Sequence, residues 1–563
     1  MGAAAFTPTG ARSAWCAALV FAGLTLVVTW PLAAGLGRDV PSDYGDPLYA
    51  AWAMAWVIRQ VGRIATGDLH ALTHFFDANQ LHPEPAALAL SDHFAGQALP
   101  LAPVYWITGD AVLTLGLAYL LAFWLCGFGM WLLVRELTGS GVAGVLAGSA
   151  FAFNEFFTVY ELAHLQILSA HWMPLAVYGL RRYFAHGARR GLVVAAVSLV
   201  LLNLSAGYYL VMFPPFVALY VAWELTARGR WRDGTTWRHL AVTGLAVAVA
   251  TAPFVWPYVQ AQQRLGLRRT VDEATVMAAS VDGYLESIRR LFGAYLCAAI
   301  AVGAAVVSRV RASARRLPLA GFAITAACLA FWMSLGPAPR WGAESYPGLG
   351  LYGVLQASVP GMSAIRVTSR FAVVFLFFVC TLAGHGAALL ARVRTTGPIV
   401  VLALAASAAL MSAPRPFRLN HEDPPTDVRP PAAYLRPGGP IPAVYRYLRT
   451  LPDTTVVAEI PFTELWYNTR YLLFSTVHWH PLVNGFTSFF PPAYVERVRW
   501  LVNPVRTPDE AWQALRSGET THVVVHTDAW EAAYVRQLDE WLTSRGARSH
   551  GAFDGAVVYE LPQ

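Results

Sequence analysis

Long apolar runs constrain this chain more than any other feature. They recur at 17–36, 113–134, 192–202 and 370–390, and several can cross a hydrocarbon layer roughly 30 Å thick as helices. Of 563 residues, 56% are hydrophobic and 13% charged, whereas a soluble domain carries about a quarter charged residues. The sequence predicts a polytopic α-helical membrane protein. Window length and breaks predict about eleven spans, at 14–36, 110–134, 139–154, 167–184, 190–204, 207–225, 238–258, 290–309, 317–335, 370–391 and 397–412.

Net charge is +7, and all 41 basic residues are arginine. Nucleic-acid binding needs such residues clustered on one soluble face; here they separate apolar runs, so no nucleic-acid partner is expected. With the N-terminus cytoplasmic, the connections holding Arg135; Arg181, Arg182, Arg189 and Arg190; Arg228, Arg230, Arg232 and Arg238; Arg309, Arg311, Arg315 and Arg316; and Arg392 and Arg394 all fall inside. That bias predicts an N-in, C-out, multi-pass protein of the plasma (inner) membrane. The first run follows Arg12, exceeds a signal-peptide core and lacks a small-x-small cleavage site, so it reads as a retained anchor. Cys16, Cys126, Cys297, Cys328 and Cys380 all lie in predicted spans without CxxC spacing, which supports neither a disulfide framework nor a zinc site.

Three divisions follow: a transmembrane domain over 1–412 with a long first outer loop at 37–109, a Pro-rich linker over 413–442, and a small extracytoplasmic α/β domain over 443–563. The linker holds Pro424, Pro425, Pro430, Pro431, Pro437, Pro440 and Pro442, a composition suited to a stiff connector. The last domain shows β-like runs at 456–460, 522–526 and 556–561 and a helix-like run at 530–544. In the first outer loop, Leu48, Trp52 and Trp56 suggest a helix lying along the membrane surface.

Chemistry-bearing residues gather at the expected outer face. Ser42-Asp43-Tyr44-Gly45-Asp46-Pro47 sets two carboxylates beyond the first span, where Asp46 before Pro47 reads equally as a helix N-cap. Glu155, Glu161, His164, Gln166 and His171 form a second cluster; on one continuous helix His164 and His171 would share a face, and a divalent metal or a polar cavity are both open readings. Arg366 and Arg370 can grip a lipid phosphate or anchor at the interface, with Arg264, Arg268 and Arg269 as weaker candidates. Asp92 and His93 complete the binding candidates, while Asp272, Glu273 and Asp282 read as caps or loop residues. His478, His480 and Asn484 lie in an apolar stretch that reads as packing.

Gly45-Asp46-Pro47-Leu48 with Trp52 and Trp56, Phe75-Phe76-Asp77-Ala78-Asn79 with His82-Pro83, Ser91-Asp92, His164-Leu165-Gln166 with Trp172-Met173-Pro174-Leu175, residues 366–371 and residues 478–491 together carry a resemblance. Over most of its length the chain resembles the GT-C superfamily of integral-membrane glycosyltransferases, in a bacterial branch. The resemblance implies transfer of a sugar from a polyprenyl-phosphate carrier to a glycan, lipid or protein acceptor, with Asp46 as the catalytic base by position and Asp43 in reserve. It departs from the family at Pro47, where many members have a second acidic residue or another residue type. Inverting single displacement needs one base, because phosphate leaves as a stable anion. A lipid-linked glycan transporter or a non-catalytic envelope-assembly scaffold remain the rival readings.

Overall fold

The structure is a computed structural model that describes residues 8–311, 319–359, 361–393, 395–412, 415–423, 425, 428–462 and 464–562. Arg315, Arg316, Arg394 and Pro424 lie outside the described residues. Two compact units result. The first comprises the described residues of Met1–Pro31, Tyr119–Phe254 and Arg268–Phe417, and the second Leu32–Ala118, Val255–Leu267 and the described residues of Arg418–Gln563.

The first unit is helical, with one two-strand hairpin, β1 (Arg340–Trp341) and β2 (Glu344–Ser345). Helices occur at each of the eleven expected segments. Among the described residues, five stretches are long and apolar enough to cross a membrane: Ala111–Thr138, Gly141–Tyr160, Gly207–Arg228, Gly234–Leu265 and Thr368–Leu390. Val281–Arg290 and Phe292–Val306, bent by 101°, make a sixth if taken together. Others are short for a crossing: the 16 residues of Leu319–Ser334 extend roughly 24 Å at the helical rise. The expected span at 14–36 is also interrupted. Its helix ends at Val28, and a separate turn forms at Leu32–Gly35, because Pro31 offers no N–H and disfavours helical backbone at Trp30.

Phe371–Leu390 is the central helix, packed against Gly141–Ala152, Phe292–Arg311 and Leu319–Ser334. Phe377 meets Phe151 and Phe213 edge-on, and Phe378 does the same with Phe322. On another side small residues bring backbones together: a Cβ at Gly386 would fall on the Cys297 carbonyl. Close backbone approach through small residues is a recurrent way to hold apolar helices together, since lipid competes for larger side chains.

The second unit is built on a four-stranded sheet of β3 (Val457–Ile460), β4 (His522–His526), β5 (Arg548–Phe553) and β6 (Ala556–Glu560), in spatial order β3-β4-β6-β5. β3 and β4 are parallel and the other pairs antiparallel. The first-loop residues Leu81 and Leu90 share one core with Ile460, Val523, Val525, Leu538 and Trp541. The helix at Asp46–Ala65 does not lie on a surface. Trp52 is wholly buried and donates its indole N–H to Asn79 at 3.0 Å, while Trp56 donates to the Phe75 carbonyl at 2.9 Å. Tryptophan is as suited to such a buried, hydrogen-bonded site as to an interface, so its presence alone misdirects.

Gly386→Ala should lower the unfolding temperature in detergent through overpacking, by about 1–3 kcal/mol. Gly303→Ala on the facing helix meets open space and should be neutral or better.

Candidate functional site

In the second unit, the turn before Asp46 is held from several directions. Ser42 and His421 exchange backbone partners with their neighbours: Ser42 N donates to the Arg418 carbonyl at 2.9 Å, and His421 N to the Ser42 carbonyl at 3.0 Å. Thr469 donates its hydroxyl to the Tyr44 carbonyl at 2.6 Å, and the Arg470 guanidinium lies 4.6 Å over the Tyr44 ring. Ser42 takes φ 62, a left-handed conformation that costs a non-glycine residue energy and is found at functional sites. The two aspartates then separate in role. Asp43 turns back on the loop, accepting from the Ser42 hydroxyl at 2.8 Å and the Gly45 N–H at 2.9 Å. Asp46 is not the cap: Gly45 holds that position, and Asp46 and Pro47 open the helix. There the unsatisfied N–H groups favour a nearby anion, and Pro47 sacrifices no bond.

One turn further on, Tyr49 is buried, and its hydroxyl donates weakly to the Asp92 carbonyl at 3.4 Å. Burial raises its pKa, and the Asp92 and Asp46 carboxylates push it the same way. The structure therefore brings Asp46 and Asp92 around one phenol. His93 is also buried, its Nδ1 accepting from the Ala95 N–H at 3.1 Å. Burial lowers its pKa to about 4, so the ring is neutral at pH 7 and serves the start of the Ala95–Thr108 helix.

In the first unit, Glu161 is the organising group. Both its oxygens accept from Arg370 Nε at 3.2 Å, and His164 Nδ1 lies 3.0 Å from Oε2. The Arg370 guanidinium also stacks 4.5 Å over the Tyr208 ring. Burial alone would raise the Glu161 pKa, but Arg370 and His164 outweigh it and leave it at about 2.

Arg366 differs from Arg370. Its buried Nε has no hydrogen-bond partner among the described residues. Burial lowers the Arg269 pKa, and the charge of Arg366 lowers it further, so these two guanidinium groups face one another's field. Arg269 also pairs with Glu273 at 3.4 Å, so the unpartnered Arg366 Nε is the donor suited to an anion such as phosphate. Arg269 was legible only as one arginine among several in a loop. His164 and His171 do not lie on one continuous helix, because a 3-10 turn at Ser169–His171 separates Leu165–Leu168 from Trp172–His186. His171 is buried against Trp172, with ring centroids 4.6 Å apart, and the buried Gln166 Oε1 has no partner among the described residues.

Glu155 pairs with Arg290 at 2.9 Å, and Glu273 closes a capping box with Thr270. In the second unit a cavity of about 740 Å³ is lined by Trp56, Arg59, Asn79, His82 and Trp479. Asp43, Asp46, Asp92 and His93 are not in its lining. Among the described residues, the one cluster with three metal-type ligands is His522, His550 and Glu560, none of which belongs to the expected sites.

A carboxyl held near 2 contributes stability that is complete above its ordinary value of 4.5 and is lost as pH falls toward 2. Glu161→Gln should remove that acid-range dependence. It should also cost about 3–5 kcal/mol at pH 7, because Arg370 would be left as a buried unpaired charge; melting across pH checks both.

No protein-family description matches the sequence, and no curated protein does. Solved structures do. The arabinofuranosyltransferase AftD from Mycobacteria aligns over 98% of this chain with 13% identity and a TM-score of 0.59. The chain spans 40% of AftD's length. ArnT from Cupriavidus metallidurans, solved bound to undecaprenyl phosphate, aligns over 99% of this chain and 100% of its own, at 13% identity and a TM-score of 0.45. The likeness to AftD, over nearly the whole of this chain, is one of fold.

Proposed function

We propose that the chain is an inverting membrane glycosyltransferase that moves a sugar from a polyprenyl-phosphate donor to an extracytoplasmic glycan, lipid or protein acceptor. It would sit in the plasma membrane with its sheet domain outside. Asp46 is the base: it takes the acceptor hydroxyl proton as that oxygen forms a bond to the anomeric carbon. The bond from that carbon to the phosphate oxygen breaks on the opposite face, and polyprenyl phosphate departs with the electron pair. No acid is needed for a leaving group already this stable.

Arg366, whose buried Nε has no hydrogen-bond partner among the described residues, holds the donor phosphate and stabilises its growing charge. Glu161 neutralises Arg370 and ties it to His164, leaving Arg366 as the stronger phosphate ligand of the two. Asp43 shapes the turn, and Asp92 shares the surroundings of Tyr49 with Asp46. The observation that carries this reading is an AftD-like fold over 98% of the chain with Asp46 in the first turn of the Asp46–Ala65 helix.

The test uses the full chain in lipid nanodiscs with polyprenyl-phosphate-linked sugars. Asp46→Asn should reduce turnover by about 10²–10⁴-fold without changing the melting temperature. Arg366→Gln should raise KM for the lipid donor more than for the acceptor. Full turnover by a folded Asp46→Asn variant contradicts the assignment.

A further inference from the structure

We propose that His522, His550 and Glu560 form a transition-metal site, suited to Zn²⁺, on one face of the four-stranded sheet. The inference is independent of the glycosyl-transfer reading. Three neighbouring strands each supply one ligand. His522 on β4 and Glu560 on β6 are registered partners, which puts their side chains on the same face. Arg548 on β5 is the registered partner of Glu560, so His550, two residues along, faces the same way at diagonal reach. The register slips between Ser549 and Ala552, with Gly551 at φ 103, and such a bulge bends a strand and re-aims its side chains.

The resulting ligand atoms all lie within 4.8 Å of one another. Tetrahedral zinc with ligands at 2.0–2.1 Å needs them roughly 3.4 Å apart, a difference that small side-chain movements close. His550 Nε2 and Glu560 Oε2 already stand 2.8 Å apart, and metal binding replaces the proton they share.

The orientation of His522 supports a ligand more than a packing residue. The Thr521 hydroxyl donates its single proton to the Val456 carbonyl at 3.1 Å and accepts from the Val456 N–H at 2.8 Å. It also lies 2.9 Å from His522 Nδ1, and with the ring proton on Nδ1 the lone pair is left on Nε2. Fixing one ring nitrogen by hydrogen bond while the other ligates is the usual arrangement at metal-binding histidines. His522 is only 8% exposed, so its ring is held in place by its surroundings. All three ligands line a cavity of about 450 Å³, which also receives Thr455, Arg516 and Glu519, leaving room for water as a fourth ligand. Two imidazoles and a carboxylate suit Zn²⁺ better than Mg²⁺ or Ca²⁺, which prefer oxygen ligands. Bound there, the ion would clamp β4, β5 and β6 together.

The test is titration of the chelator-stripped full chain with Zn²⁺ against a chromophoric chelator, with melting followed in parallel. One equivalent should bind and raise the melting temperature, since the ion binds only the folded chain. His550→Ala, at a half-buried strand position, should fold normally without metal yet lose at least about tenfold in affinity together with the thermal shift; His522→Ala and Glu560→Gln should do the same. The exposed, stacked His70 and His74 supply a control: the His70→Ala/His74→Ala variant should keep the tight equivalent. Equal affinity for the native chain and His550→Ala, or loss of binding only in the His70→Ala/His74→Ala variant, overturns the proposal and leaves His550 and Glu560 as an ion pair.

Discussion

A charge inside so apolar a chain persists only beside a group that neutralises it, and the ion pairs follow from that constraint. Glu161 and Arg370 are each less than a tenth exposed and satisfy one another, with His164 and Tyr208 completing their surroundings. Glu224 repeats the solution: it is nearly buried and accepts from Arg181 at 3.0 Å, Arg228 at 2.6 Å and the Tyr220 hydroxyl at 2.9 Å. In the second unit, Glu459 lies buried between His526 at 2.7 Å and the Tyr445 hydroxyl at 2.8 Å. Breaking any of these sets leaves a charge that the interior cannot solvate.

Against that background, Arg366 keeps a buried Nε with no hydrogen-bond partner among the described residues, while Arg269 pairs with Glu273 at 3.4 Å. Stability alone gives no reason to leave that Arg366 donor unused. An anionic ligand does, and a phosphate offers the oxygen geometry that guanidinium groups match. The paired aspartates follow similar logic, since Asp43 is consumed by its own turn while Asp46 sits where a helix N-terminus favours an anion.

Much of the fold was legible because apolar periodicity reports burial directly. Helices stand at the eleven expected segments, and strands at Val457–Ile460, His522–His526 and Ala556–Glu560 match the β-like runs. Arg548–Phe553 escaped because it is an edge strand exposed on both faces, so neither alternation nor a continuous apolar run marks it. The burial of Trp52 was hidden too, since it depends on Asn79, 27 residues away. At the candidate site, Asp46 and Arg366 could be singled out by residue type and position. What could not be read was that Arg370 belongs to Glu161, 209 residues away, or that Asp92 joins Asp46 around Tyr49. Long-range partnership decides which charges remain available, and a single sequence does not record it.

The central claim is chemical, that a glycosidic bond is made at the expense of a sugar–phosphate bond. The most direct measurement is NMR of the product formed by the purified chain from a donor of known anomeric configuration, with released polyprenyl phosphate quantified alongside. The account predicts one polyprenyl phosphate per new linkage and an inverted anomeric centre. Retention of configuration, or movement of the intact lipid-linked sugar across the bilayer without any new linkage, would contradict it.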